Sequence, residues 1–396
     1  MSHSHRSIVL IGLTALAVAM GIGRFAFTPL MPLMLRDATL DAGTGAEWAA
    51  ANYVGYLVGA LTAAWFARHP RLGLQLGLAG VAGSTLGMVF ADMSHPWVGA
   101  CLRGVAGVCS AWVLVCASSW CLPELARRQA SALGGWIYTG VGMGIALTGV
   151  LAWLGGQQSA VALWLELGAL ALVGSAFVRW MLPSPSAATA PLSRSAASGP
   201  SQPSSTGHSS TLGLIGCYGA FGYGYIVPAT FLPTMARQLV EDPLVFGLTW
   251  PLFGLAAAVS VAMASSWLSN WPRRKVWALA QSAMAAGTLI PLVQQSLWAL
   301  ACSAVLVGGT FMVATMAGLQ LAREHMPTNP TALLSRMTAA FAIGQIAGPL
   351  LVRLMGSLEI APAHALNWAN GLATLILIVT AAWLWRAQRP PVTEPA

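Results

Sequence analysis

The stretch GIGRFAFTPLMPLMLR, residues 21–36, decides how this chain folds. It is the second half of an apolar run that begins at Ile8, and Arg24 is the one charge in that run before Arg36. At a helical rise of about 1.5 Å per residue, Arg24 lies roughly 24 Å from Ile8 and roughly 16 Å from Leu35. This depth places a guanidinium inside a hydrocarbon layer about 30 Å thick, where a charge is costly and by default faces a polar cavity. Because glycine and proline flank Arg24, the sequence predicts a membrane helix that bends around a functional site.

The composition of the chain indicates the solvent in which it folds. Of 396 residues, 57% are hydrophobic and only 8% are charged, and the mean hydropathy is +0.69. Soluble domains carry about 25% charged residues, so we expect an all-α integral membrane protein whose partner is the lipid bilayer. The net charge of +8 does not indicate a nucleic-acid partner, because no basic cluster exceeds the three residues 273–275 and no aromatic-basic surface accompanies it.

Twelve apolar segments, each close to or above the roughly 20 residues needed to cross a membrane, can be read along the chain. The first six are residues 8–35, 47–67, 72–92, 96–122, 131–154 and 159–182, and the second six are residues 211–236, 244–268, 275–293, 296–322, 331–355 and 362–386. Residues 183–210, rich in Ser, Pro and Ala, separate the two sets as a flexible linker. The sequence therefore predicts twelve transmembrane helices in two six-helix pseudo-symmetric bundles, residues 1–182 and 211–396.

Basic residues indicate the orientation of the chain, because cytoplasmic loops carry an excess of Lys and Arg. With a cytoplasmic N-terminus, fourteen of the 19 Lys and Arg residues fall in inside loops and tails. Only Arg36, Arg237 and Arg353 fall at outside ends, while Arg24 and Arg103 lie within the membrane. We therefore expect a multi-pass protein of the inner (cytoplasmic) membrane, with both termini and the linker in the cytoplasm.

The two halves repeat each other at an offset near 201 residues. The matching pairs are Gly21 and Gly222, Pro32 and Pro233, Met34 and Met235, and Arg36 and Arg237. Parallel repeats of this kind are common in transporters, whose site lies between the halves near the bilayer midplane. The same offset aligns Tyr225 with Arg24.

Glycines recur one helical turn apart in several of the predicted spans. The pairs are Gly55 and Gly59, Gly73 and Gly77, Gly83 and Gly87, Gly140 and Gly144, and Gly344 and Gly348. Small residues at this spacing let helix backbones approach closely in lipid, so we expect these faces to pack, with sliding between mobile helices as the functional alternative.

Four stretches carry a resemblance to a known family. They are GIGRFAFTPLMPLM in the first span, ANYVGYLVGAL in the second, YGYIVPATFLPTMA in the seventh and GQIAGPLL in the eleventh. The chain resembles the major facilitator superfamily over nearly its full length and, more narrowly, its bacterial YbfB/YjiJ-like branch. The resemblance implies a transporter. One departure is WFARHPRLG between the second and third spans, which lacks the acidic residue usual in that loop of the superfamily.

Arg24 is the leading candidate for binding substrate. A guanidinium offers a planar fork of donors to a carboxylate or phosphate. The alternative is a structural arginine bonded to backbone carbonyls that Gly21 and Gly23 set free. Two membrane arginines against one membrane carboxylate leave a positive balance, which favours an anionic ligand.

Arg103 and Glu166 are candidates for coupling. Each lies about seven residues into a span that enters from the outside, so their depths match. They can form a pair, or Glu166 can carry a proton; the alternative is that each side chain reaches separately to the outer interface. Arg103 also begins the pattern Arg103-x-x-x-Gly107-x-x-x-Ala111, similar to one associated with proton-coupled exporters of the superfamily.

Further polar side chains lie at membrane depth and complete the set of predicted substrate-binding residues. They are Asn52, Tyr53, Tyr56 and Tyr225, with Gln345 as a weaker candidate, and Tyr218 and Tyr223 offer hydroxyls of the same kind. Tyrosines near helix ends can instead form an interfacial belt. Tyr225 ranks first among these tyrosines because of its alignment with Arg24.

Several classes of function lack their motifs in this chain. It has no G-x-x-x-x-G-K-[ST] phosphate loop, no H-E-x-x-H and no G-x-S-x-G, and its six cysteines form no C-x-x-C pair. We therefore expect no cofactor, no metal and no catalytic residues. The expected function is a monomeric secondary transporter that uses alternating access, with H+ as the coupling ion. An anionic or amphipathic metabolite or drug is among the substrate candidates, and an integral-membrane enzyme acting on a lipid-linked substrate is the alternative.

Overall fold

A computed structural model describes residues 5–66, 69–182, 208–240, 247–268, 271–326, 330–358 and 361–386. These residues form helices joined by turns, and no strand occurs among them. The first helices in chain order are α1 (His5–Arg36), α2 (Ala42–Thr62), α3 (Pro70–Gly87), α4 (Pro96–Arg127), α5 (Thr139–Leu154) and α6 (Ala160–Met181). They are followed by α7 (His208–Leu239), α8 (Thr249–Trp267), α9 (Arg273–Val293), α10 (Leu297–His325), α11 (Pro330–Ser357) and α12 (Pro362–Arg386). Helices α1–α6 are called the N-half below, and α7–α12 the C-half.

Ten helices in the described part of the chain are long and apolar enough to cross a membrane. Helices α2 and α8 are not among them. The apolar stretch of α8, Thr249–Ala264, falls short of the roughly 20 residues that a span needs. Helix α2 carries Glu47, Asn52 and two tyrosines, which lower its hydropathy. The all-helical membrane fold is confirmed, whereas the count of twelve spans stays a prediction.

Contacts between helices join the two halves along several lines. Within the N-half, α4 packs on α2 and α3. Within the C-half, α7 packs on α11, and α9 packs on both α10 and α12. Across the halves, α5 packs on α8, α2 on α11, and α1 on α7. The predicted boundary between the two bundles falls mainly in residues 183–207, outside the described residues, so the division of the chain also stays a prediction.

Glycine allows the closest of these helix contacts. A Cβ on Gly21 would collide with the backbone of Gly144, which brings α1 against α5. The equivalent contact in the C-half brings α7 against α11, where a Cβ on Gly222 would collide with the backbone of Phe341. Both contacts thus use a glycine of the first helix of a half, at positions 201 residues apart. The packing prediction is wrong for Gly83, because a Cβ there would meet no atom of another described helix within 4 Å.

Charged residues connect several helix ends to one another. Arg353 on α11 forms an ion pair with Glu47 on α2 at 2.5 Å, and Arg237 donates to the carbonyl of Pro32 at 2.9 Å. Asp37 accepts from the first backbone N–H of α6, that of Ala160, at 2.7 Å. Partial burial raises the pKa of Asp37, but hydrogen bonds from Arg36 and that N–H outweigh it and hold this pKa below its usual range.

Candidate functional site

Helix α1 changes its winding at the centre of the molecule. Its segments are His5–Leu16, the π-helical Ala17–Arg24 and Phe27–Arg36. The break leaves the carbonyl of Arg24 without a helical donor, because the N–H of Thr28 bonds Phe25 at 3.2 Å and Pro29 has no N–H. Buried carbonyls need partners, and π segments of this kind often mark functional sites. The predicted bend in α1 is therefore present as a π segment.

Arg103 supplies the missing donors from α4. Its Nη1 donates to the carbonyl of Gly23 at 2.9 Å and its Nη2 to the carbonyl of Arg24 at 2.7 Å. The guanidinium lies 5.1 Å from the ring centroid of Phe27, and the Arg103 carbonyl accepts from the Asn52 amide at 2.8 Å. A structural arginine bonded to backbone carbonyls was the alternative role considered for Arg24. The structure shows this arrangement at Arg103.

The predicted pair between Arg103 and Glu166 is wrong. Only 3% of Arg103 is exposed and its guanidinium is bound to α1, whereas Glu166 lies on the exposed face of α6. Both residues have similar depth along their helices, but they point in different directions around the helix axes. Glu166 therefore lies outside the cluster of site residues described next.

Arg24 contacts side chains rather than carbonyls. It is 3% exposed, and its Nη2 donates to the Tyr225 hydroxyl at 3.2 Å. Its guanidinium carbon lies 3.9 Å from the ring centroid of Tyr56 and 5.6 Å from that of Tyr53, within the range of cation–π attraction. The Arg24 Nε has no hydrogen-bond partner among the described residues. Three of the predicted tyrosines therefore surround this guanidinium.

Tyr225 joins this cluster from the C-half. Its hydroxyl also accepts from the amide of Gln345. Its ring stacks on Phe311 with centroids 5.4 Å apart and planes at 8°, and on Phe341 at 5.6 Å and 10°. The predicted 201-residue repeat aligns Arg24 with Tyr225, and the two side chains are in contact.

Two more hydrogen bonds connect the halves around this contact. The Thr28 hydroxyl donates to the carbonyl of Ala229 at 3.0 Å, again at an offset of 201 residues. The hydroxyls of Tyr53 and Thr230 lie 2.8 Å apart. Equivalent residues of a two-fold repeat meet only near its axis, so under the predicted repeat we expect the cluster to lie on that axis.

Most of the residues predicted for the site come together in one cluster. Arg24, Tyr53, Tyr56, Tyr225 and Gln345 form it. Asn52 and Arg103 lie behind it and are bonded to each other. Tyr218 instead packs on Phe221, Phe341 and Trp277, and the Tyr223 hydroxyl donates to the carbonyl of Ala369 at 3.3 Å.

Sequence reasoning missed the apolar and hydroxyl-bearing walls of the cluster. These residues are Phe25, Thr28, Thr230, Phe311 and Phe341. The 201-residue offset that pointed to Tyr225 also relates Thr28 to Ala229 and could have found that contact. Phenylalanine in an apolar helix carries no comparable signal, because it fits lipid and protein core equally well.

The cluster carries positive charge and unused hydrogen-bonding groups. Among the described residues, no carboxylate lies within salt-bridge distance of Arg24 or Arg103. Four buried polar atoms in or directly behind the cluster lack hydrogen-bond partners among the described residues: Arg24 Nε, Arg103 Nε, Asn52 Oδ1 and Gln345 Oε1. Buried charges are ordinarily paired, so this arrangement suits an anion that also offers a hydrogen-bond donor.

Comparison with known proteins adds a family and a fold. The model of the family described as "Uncharacterised MFS-type transporter YbfB" matches residues 16–384. No curated protein matches the chain.

Solved transporters share its architecture. The D-xylose-proton symporter matches with a TM-score of 0.75 at 12% identity, covering 97% of this chain and 98% of the symporter. The POT family transporter PepTSo matches with a TM-score of 0.73 at 12% identity, covering 97% of this chain and 98% of PepTSo. The human organic anion transporter MFSD10 matches with a TM-score of 0.66 at 17% identity, covering 96% of this chain and 100% of MFSD10. At these identities the likeness shows the fold alone, whereas the family match spans most of the chain. The chain therefore belongs to the MFS-type transporter family of YbfB.

Proposed function

We propose that this protein is a secondary active transporter that moves a small organic anion across the cytoplasmic membrane by alternating access. Arg24 anchors the anion, and the two halves rock around it. Membership of a transporter family supports transport, and the fold shared with the D-xylose-proton symporter supports H+ as the coupling ion.

One observation carries the proposal: Arg24 lies at the junction of the halves and contacts both. Its π segment and Tyr56 belong to the N-half, while Tyr225 belongs to the C-half. A relative movement of the halves must therefore make or break the Arg24–Tyr225 hydrogen bond. A ligand bound at this point can shift the conformational equilibrium, because it interacts differently with the two arrangements.

The electrostatics of the cluster favour an anion. Two buried guanidinium groups, those of Arg24 and Arg103, have no carboxylate partner in the described part of the chain. Glu166, the carboxylate that the sequence analysis set against their positive charge, lies on an exposed face of α6. Tyrosine rings and a neutral hydroxyl compensate the charge of Arg24. An anionic ligand would replace these weak interactions with a charged hydrogen bond. The human organic anion transporter MFSD10, which shares this fold, is in keeping with this substrate class.

Counterflow in proteoliposomes tests this proposal. Vesicles loaded with unlabelled benzoate, succinate or glycerol 3-phosphate would be diluted into the labelled compound, and a carrier would accumulate label by exchange. We expect exchange of at least one anion, weakened in Arg24→Lys and lost in Arg24→Gln, because lysine keeps the charge without the fork. Arg274→Gln, which alters a partly buried arginine of α9 outside the cluster, serves as the control.

Two outcomes contradict the proposal. One is exchange at the parental rate in Arg24→Gln, which leaves Arg24 with a structural role. The other is chemical conversion of the labelled compound in place of exchange, which favours the enzyme alternative.

A further inference from the structure

We propose that the hydroxyl of Tyr225 occupies the position on Arg24 at which the substrate binds, and that the substrate is an aromatic carboxylate bearing a hydrogen-bond donor. This inference rests on the proposed function and narrows its substrate class. Three features of the cluster carry it: the half-used fork of Arg24, the stacked rings around Tyr225, and the free amide oxygen of Gln345.

The first feature is the fork of Arg24. Its Nε and Nη2 point the same way and form the side of the guanidinium that a carboxylate binds through two parallel hydrogen bonds. Nη2 donates to the Tyr225 hydroxyl at 3.2 Å, while Nε has no partner in the described residues. A phenol oxygen can fill one arm only, and 3.2 Å is long beside the roughly 2.7–2.9 Å of charged hydrogen bonds. A carboxylate would fill both arms and supply the missing negative charge.

The second feature is the stack of aromatic rings. The Tyr225 ring is nearly parallel to Phe311 and Phe341, with centroids 5.4 Å and 5.6 Å away. Phe311 in turn contacts Phe25 and Phe253 at 6.3 Å and 5.6 Å. These walls accommodate a flat ring that carries oxygen at its edge, which is the shape of Tyr225 itself. A planar aromatic ligand gains stacking here that a saturated ring of similar size does not.

The third feature is Gln345. Its amide nitrogen donates to the Tyr225 hydroxyl, and its Oε1 is buried without a partner among the residues that the structure describes. An unpaired buried acceptor is costly, and a hydroxyl or amine on the ligand would satisfy it. The cluster therefore offers a fork for a carboxylate, rings for an arene and an acceptor for a donor.

Binding to the purified full-length protein in nanodiscs tests the inference. Titration calorimetry would compare 4-hydroxybenzoate, 4-hydroxybenzamide and cyclohexanecarboxylate. We expect 4-hydroxybenzoate to bind at least about tenfold more tightly than either, because the amide lacks the charge and cyclohexanecarboxylate lacks both the stacking ring and the donor for Gln345. Phe311→Leu should reduce the difference in affinity between 4-hydroxybenzoate and cyclohexanecarboxylate, since it removes one stacked ring and keeps an apolar side chain.

Tyr225→Phe tests most directly whether the Tyr225 hydroxyl competes with the ligand for Arg24. It keeps the ring and removes the competing hydroxyl, so 4-hydroxybenzoate should bind roughly threefold to tenfold more tightly, the equivalent of one net hydrogen bond. Tyr223→Phe removes a buried tyrosine hydroxyl away from the cluster and should leave the affinity unchanged. Melting temperatures of both variants establish that they fold.

Three outcomes overturn the inference. They are equal binding of the three compounds, weaker binding in Tyr225→Phe, and no binding of 4-hydroxybenzoate to either the parent or Tyr225→Phe. Binding of cyclohexanecarboxylate that equals that of 4-hydroxybenzoate and is lost in Arg24→Gln refutes the aromatic substrate and leaves the anion transporter standing. Binding that persists unchanged in Arg24→Gln refutes both.

Discussion

Arg24 and Arg103 are buried to the same degree, yet their guanidinium groups bind different partners. Arg103 donates through both Nη atoms to carbonyls of α1, and Arg24 donates through one Nη atom to a tyrosine hydroxyl. A backbone carbonyl cannot leave its helix, whereas a side chain can rotate away. Arg103 is therefore suited to positioning the π segment, and Arg24 to exchanging one partner for another.

The hydrogen bonds of Arg103 to α1 predict that substitutions at Arg103 and Glu166 have unequal effects on stability. Arg103→Met would leave the carbonyls of Gly23 and Arg24 without donors and should cost roughly 2–4 kcal/mol. Glu166→Gln changes an exposed side chain and should stay within about 0.5 kcal/mol. Melting temperatures of the single and double variants in detergent provide the measurement. Additive effects are expected, and a double variant more stable than Arg103→Met alone would restore the discarded ion pair.

At the scale of helices, the π segment and helix α5 depend on each other. Gly144 lies so close to α1 that a Cβ there would collide with the backbone of Ala17, at the start of the π segment. Ser110 donates to the carbonyl of Ala19 at 2.7 Å, so α4 binds the same segment. Irregular backbone at membrane depth needs such partners, because lipid offers none.

Two glycine substitutions test this dependence. Gly144→Ala should lower the stability by about 1–3 kcal/mol, since neither backbone can move away without disturbing the other helix. Gly83→Ala is the matched control: a Cβ there meets no atom within 4 Å, so reduced freedom of the unfolded chain should stabilise the protein by about 0.4–1 kcal/mol. Thermal unfolding followed by circular dichroism measures both. Equal effects of the two substitutions would mean that close packing at Gly144 is not required.

At the scale of the whole molecule, contacts between the halves run from the cluster to the outer helix ends. The Arg24–Tyr225 and Tyr53–Thr230 bonds lie at the centre, and the Glu47–Arg353 ion pair and the Arg237–Pro32 bond lie near helix ends that we expect to face outward. Under the proposed mechanism, access from the outside requires all four to break. Exposed ion pairs are worth little individually, so the outer contacts can open at small cost.

The outward assignment of these ends is a prediction that reporter fusions check. The distribution of basic residues predicts that both termini and the linker lie in the cytoplasm. A periplasmic phosphatase fused at Ser198 should therefore be inactive, while fusions at Gly43 and Asp242 should be active. A cytoplasmic reporter at the same three positions should give the reverse pattern. Phosphatase activity at Ser198 would invert the orientation and, with it, the side to which the cluster is closed.

The properties of the chain that follow from local composition or from its internal repeat were predictable from the sequence. Hydropathy predicted the helical membrane fold, glycine and proline predicted the break in α1, and the offset of 201 residues aligned Arg24 with Tyr225. The rise per residue also predicts that Arg24 and Arg103 lie at membrane depth. Each of these follows from local composition or from a repeat that the chain itself carries.

The direction and partner of each side chain were decided by tertiary structure. Depth along a helix says nothing about direction around it, so Glu166 could be matched to Arg103 in depth and still face away from it. The carbonyls of α1 needed donors, but only packing determined that Arg103 supplies them and leaves Arg24 to Tyr225. Hydropathy is set by the residues of one segment, whereas these contacts join helices distant in the chain and depend on how all of them pack together.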